Sequence, residues 1–160
     1  MRRLAIVCIV AGLIALALPV TADSPAAQLS TADIQRVLTA AVAKAQEIGV
    51  PMGISIVDAG GNLLGFIKMD GAFIHTNHTS FSKAYTAASI RKPSGASGIP
   101  QNITDEISST TGGKFTTLPG GLPLMKDGKL VGGIGVGGGK GEQDEAVAKA
   151  GVEALASKTN

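Results

Sequence analysis

Cysteine is nearly absent from this chain: the single one, Cys8, falls within the first 22 residues. Beyond it there is no thiol nucleophile, no disulfide framework and no cysteine-based metal site, which suits an exported protein. Tryptophan is missing, tyrosine occurs once and histidine twice. Any imidazole or phenol chemistry must therefore come from His75, His78 or Tyr85. Neither a G-x-S-x-G elbow nor an H-E-x-x-H helix occurs, and no other catalytic grouping emerges.

An excess of either charge is lacking too. The 14 Lys and Arg against 12 Asp and Glu include Arg2 and Arg3, which precede an apolar run from Leu4 to Leu18, then Pro19 and Val20-Thr21-Ala22. A positive start, an apolar middle and a Val-x-Ala end describe a secretory signal peptide cleaved after Ala22. The run is short for a membrane span, which needs about 20 apolar residues. Removing the leader leaves 12 charges of each sign, so neither a nucleic acid nor another polyanion is implied as a partner. The expected location is secreted or periplasmic. Residues 23–28 read as a mobile polar tail, and 29–157 as one domain.

In that domain, Ser30 with Asp33 three residues on is a capping-box start, and Leu29 is placed as a staple. Apolar residues follow at Ile34, Val37, Leu38, Ala41, Val42, Ala45 and Ile48, the stripe of an amphipathic helix that Gly49 and Pro51 stop. Met52 to Val57 and Leu63 to Met69 predict an antiparallel hairpin across Asp58–Asn62, with Asp58 and Asp70 read as turn acids. A second helix is expected over about Asn77 to Lys92, ended by Pro93. Residues 94–113 read as a long loop with one short helical turn near Thr104 to Ile107, and Lys114 to Leu118 as a third strand. Asp127-Gly128 then sits between two apolar runs, a strong hairpin signal, and a last helix runs from about Glu142 to Ala156. The order predicts an α/β fold with one antiparallel sheet of five strands and helices on its faces.

Gly133, Gly135 and Gly137 alternate with Ile134 and Val136, so one face of the last strand has no side chains. A backbone, a helix or a ligand must lie close to it. Gly133-x-Gly135-x-x-Gly138 formally matches a dinucleotide fingerprint, but no further strand follows to carry the ribose-binding acid. Lys140 is followed by Gly141 rather than Ser or Thr, so a phosphate loop fails as well. Glu142, Asp144 and Glu145 complement the dipole of the last helix and would repel a phosphate. Read as ligands, these three acids make a surface cation site. His75 and His78 lie amid Met69, Phe73, Phe81 and Tyr85, the densest cluster of aromatic and soft side chains. Imidazole or phenolate can ligate haem iron, and aromatic neighbours can shield a porphyrin. Exposed helix-cap histidines are the plainer alternative. Lys83 reads as a salt-bridge partner or an anion contact.

Six ordered blocks resemble the GlcG/HbpS family: the stretch from Gly49 to Asn62 (GVPMGISIVDAGGN), Lys68 to Gly71, Lys83 to Ala88, Gly120 to Pro123, Asp127-Gly128, and Gly141 to Glu145. The resemblance spans about Leu29 to Leu155. It implies a profilin-like, three-layer α/β/α domain, homo-oligomers built from dimers, and haem as cofactor. It also implies haem capture, buffering or sensing beside a membrane sensor protein, with an accessory role or haem degradation as alternatives. Gly137-Gly138-Gly139-Lys140-Gly141 departs from the family's Ser-Gly-Gly-Thr-Pro at this turn. Because the segment around His75 to Phe81 varies in the family, the resemblance assigns no axial ligand there.

Overall fold

A computed structural model describes residues 28–157; the leader reading and most of the polar tail lie outside them. The elements are α1 (Thr31–Ile48), β1 (Gly53–Asp58), β2 (Leu63–Lys68), α2 (Thr76–Ile90), a 3₁₀ turn (Ser94–Ala96), α3 (Gln101–Thr110), β3 (Gly121–Lys126), β4 (Lys129–Gly137) and α4 (Gly141–Ala156). The four strands form one antiparallel sheet in the order β2-β1-β4-β3. Helices α1 and α4 pack together on one face and α2 covers the other, giving three α/β/α layers.

Local chemistry sets the boundaries. The Ser30 hydroxyl accepts from Asp33 N, while Asp33 Oδ2 accepts from the Ser30 amide and hydroxyl, the expected capping box. Gly49 ends α1 in the left-handed region at φ 75°. Asp58 Oδ1 accepts from the amides of Gly60 and Asn62, closing the β1–β2 turn. At the β3–β4 turn, Asp127 and Gly128 both have positive φ (50° and 75°), as a tight primed hairpin turn requires.

Two expectations need correction. Residues 114–118 are not a strand, so the sheet has four strands rather than five. The Thr116 amide donates to Thr86 Oγ1 of α2 at 2.9 Å, and the Leu118 carbonyl accepts from Ser94 Oγ at 2.6 Å. Side chains thus take up backbone groups that a sheet ladder would have used. The loop expected across 94–113 holds a 10-residue helix, α3, entered from Pro100.

The sheet's faces are chemically unlike. Toward α1 and α4 lie Ile54, Ile56, Leu124, Ile134 and Val136, packed against Val37, Ala41, Ala45, Val147 and Leu155. Toward α2, β4 offers only glycine. A methyl at Gly135 would overlap the Ser80 carbonyl, and one at Gly133 the Ala84 carbonyl. The bare face therefore receives a helix backbone at close range. The buried hydroxyls of Ser55 and Ser80 bond across this layer at 2.7 Å, and Ser80 Oγ also donates to the Thr76 carbonyl.

Candidate functional site

At the end of the sheet where β4 leaves and α2 begins, Gly137, Gly138 and Gly139 bend away and open a cleft of about 390 Å³. Phe73, His75, Thr79 and Lys83 line it from the α2 side, Leu118 and Pro119 from the β3 approach, and Gly141 and Asp144 from α4. His75 stands at the N-cap position of α2 in helical conformation and makes no side-chain cap bond, so its imidazole is not spent on the helix. Its ring stacks on Phe73, with centroids 5.6 Å apart and planes 12° apart. Phe73 is 62% exposed, an uncommon state for a large aromatic side chain that reaches a cavity.

The floor is polar and closed. Lys83 Nζ donates to Asp144 Oδ2 at 2.7 Å and to the Val136 carbonyl at 2.7 Å. The two residues are 5% and 2% exposed. Asp144 Oδ1 also accepts from Gly139 N at 2.9 Å, which ties the glycine turn to α4. Burial pushes the Asp144 carboxyl above its usual range, opposed by Lys83 and the Gly139 amide.

The structure divides the residues the sequence singles out. Phe73, His75 and Asp144 share the cleft. His78 is exposed and does not line it. Tyr85 lies ten residues along α2 from His75, about 15 Å at the helical rise. Its ring covers Gly61, where a methyl would stand 2.7 Å from ring carbons, and tilts against Phe81 at 6.1 Å. Phe81 packs beside Val57, Ala84 and Ala88. Met69 sits near the β2 edge with its sulfur 3.5 Å from the Met52 amide. The acids do not gather either: Glu142 is exposed, Asp144 is buried on Lys83, and among the described residues no group of three or more His, Cys, Asp or Glu could hold a metal ion. Lys83 takes the salt-bridge role.

Sequence order hid Leu118, Pro119 and Thr79 as cleft residues, and it hid the meeting of the His75 segment with Gly137–Gly141. The alternating glycines were the available signal, and they serve two purposes. Gly133 and Gly135 admit α2, whereas Gly137 and the turn beyond it form a wall without side chains. A methyl at Gly137 would stand 2.8 Å from Thr79 Oγ1 and 3.7 Å from Lys83 Nζ, and one at Gly141 would meet Pro119 at 2.6 Å. Side chains at these positions would fill the cleft.

Helices on both faces of a four-stranded antiparallel sheet, with an open cleft where a glycine turn meets a helix start, define a small α/β/α domain. The chain belongs to the HbpS-like family, described as haem degrading protein HbpS-like, whose model matches residues 29–153. It is 36% identical over 132 residues to an uncharacterised 15.0 kDa protein of Citrobacter freundii from the dhaT-dhaS intergenic region (77% of this chain, 89% of that protein). It is 33% identical over 139 residues to the corrinoid adenosyltransferase PduO of the same organism, covering 85% of this chain but only 42% of PduO. Among solved structures it is similar to a PduOC–haem complex (30% identity, TM-score 0.69, 80% of this chain and 95% of that one). It is also similar to a double mutant of Streptomyces reticuli HbpS (29% identity, TM-score 0.72, 87% and 97%).

Proposed function

We propose that this chain is an exported haem-binding protein that captures, buffers or senses haem, with His75 as the side chain that meets the iron. The observation that carries the reading is the His75–Phe73 stack at the rim of a cleft whose opposite wall is bare backbone. The residues present fit the group. An imidazole supplies a nitrogen ligand, Phe73, Leu118 and Pro119 supply apolar contact, and Gly137–Gly139 let a macrocycle approach the main chain. A volume near 390 Å³ lies at the small end of ligand sites, which run from about 300 to 1,000 Å³, so the cleft encloses part of a haem and leaves the rest outside. Bound haem would supply a ligand-exchanging, redox-active iron; the chain's own part is to hold and shield it. The family's description and the haem complex of a relative support the choice of ligand.

Export rests on the leader pattern, and homo-oligomerisation or a membrane sensor partner on the family resemblance. Phe73, Ile74 and Leu118 are exposed around the cleft, and a second copy there would cover both apolar surface and ligand.

A haemin titration tests the reading. Wild type should give a saturable Soret shift. His75→Ala should weaken binding about tenfold or more and change the spectrum, while His78→Ala should leave both within about twofold, since a lost ligand removes well over 1.4 kcal/mol. Unchanged spectra in His75→Ala would exclude it as the ligand. Adding reductant and oxygen separates holding from degradation: a stable Soret band supports a carrier, and its loss without radical bleaching supports an enzyme.

A further inference from the structure

Haem held by His75 and Phe73 at the rim of the cleft leaves the Lys83–Asp144 floor without a role. Lys83 carries three ammonium hydrogens. Two go to Asp144 Oδ2 and the Val136 carbonyl, and among the described residues none accepts the third. A buried ammonium is costly unless each donor finds an acceptor. Lys83 is 95% buried yet lines the cleft, so an acceptor for the third hydrogen would come from that side.

The surroundings favour an acceptor that is itself negative. From the sequence, Asp144 joins Glu142 and Glu145 as acids that complement the α4 dipole and would repel a phosphate. Instead Lys83 neutralises it at 2.7 Å, while Glu142 and Glu145 stay outside the lining of the cleft. The first turn of α4 adds the positive end of its dipole. Gly137, which lines the cleft, keeps the approach open: a methyl there would stand 3.7 Å from Nζ. A carboxylate brings one charge and matches the single spare donor, whereas a phosphate would bring two charges to it.

We propose that Lys83 Nζ, presented by its pair with Asp144 at the cleft floor, is a docking point for one carboxylate group of the ligand. Resting on the haem reading, that carboxylate is a haem propionate, and the site then selects free-acid porphyrins over esterified ones. A free carboxylic acid small enough for the cleft would engage the same donor.

The test compares haemin with its dimethyl ester on wild type and on Lys83→Met/Asp144→Leu, which removes both charges together so that neither is left buried alone. Circular dichroism and an amide spectrum check the variant's fold. Wild type should bind haemin about tenfold tighter than the ester, the worth of one charge-assisted hydrogen bond, and the variant should bring the two within about twofold. Equal affinities in wild type overturn the proposal, whether or not the variant folds. So does full discrimination in a folded variant. A parallel titration with propionate follows the Lys83 Nζ resonance and the amides of Gly137–Gly141. If haemin and ester both fail to saturate wild type, the haem reading falls, and propionate decides: shifts at these positions uphold a carboxylate site of another ligand, and their absence overturns it.

Discussion

The two faces of the sheet solve the same packing problem by opposite means. Under α1 and α4, branched side chains such as Ile54, Ile134 and Val37 interdigitate, so cohesion comes from apolar area. Under α2, glycines bring backbone against backbone, and the layer is held by small side chains, the buried Ser55–Ser80 contact and the Lys83–Asp144 pair beyond it. An apolar face tolerates modest changes of volume because side chains can shift. A backbone-to-backbone face has nothing that can give way. The cleft opens at the end of the second, less forgiving layer, where the same glycines run out past the helix start.

Damage should be greatest in the layer under α2. Lys83→Met alone leaves the Asp144 carboxylate buried without its cation and should cost about 3–5 kcal/mol in urea unfolding. The double variant Lys83→Met/Asp144→Leu should recover most of that loss. If the single variant matches wild type, the pair does not anchor the α2 layer. Gly135→Ala comes next. Its methyl would overlap the Ser80 carbonyl, and because a strand and a helix backbone must both move, about 3 kcal/mol is expected. Ile134→Val, one residue away but on the apolar face, should cost about 1 kcal/mol. Equal costs at the two neighbours would erase the distinction between the faces.

Much of this contrast was legible in the sequence, and the gaps have identifiable causes. The α1 boundaries were written in Ser30, Asp33 and Gly49, and the last hairpin in Asp127-Gly128, because each residue acts on its own backbone. The glycine alternation foretold a close neighbour without naming it. Phe115-Thr116-Thr117 carries strand propensity, yet Thr116 spends its amide on Thr86, 30 residues away. The length of α3 was hidden by hydroxyl residues that usually compete with helices; here Thr110 and Thr111 donate back to the carbonyls of Glu106 and Ile107. The sequence singles out Phe73 and His75 by their chemistry, and the fold places both on one cleft. Grouping them with Tyr85 took nearness in sequence for nearness in space, and α2 carries the phenol to the other end of the sheet. Only the fold brings Leu118 and Gly137–Gly141 to His75.

The smallest effect distinguishes the two buried carboxylates, which are shifted in opposite directions. Burial would raise Asp33, but hydrogen bonds from the Ser30 hydroxyl and amide and from Lys126 outweigh it and hold its pKa at about 2, below the ordinary 3.8. The unfolded chain therefore takes up the Asp33 proton first as pH falls. Its contribution is fully present above about pH 4 and is lost progressively toward pH 2. Asp144, raised by burial, protonates first in the folded state, so its own contribution runs the other way. Ser30→Ala removes one of the Asp33 bonds and the cap on the Asp33 amide. It should cost about 1 kcal/mol at neutral pH and less at pH 2, where the carboxylate it supports is being lost. Asp33→Asn should flatten the acid limb of stability between pH 4 and 2. A wild-type limb preserved in Asp33→Asn would mean that another carboxylate governs acid unfolding, and that the α1 cap is not the polar counterpart of the Lys83–Asp144 pair.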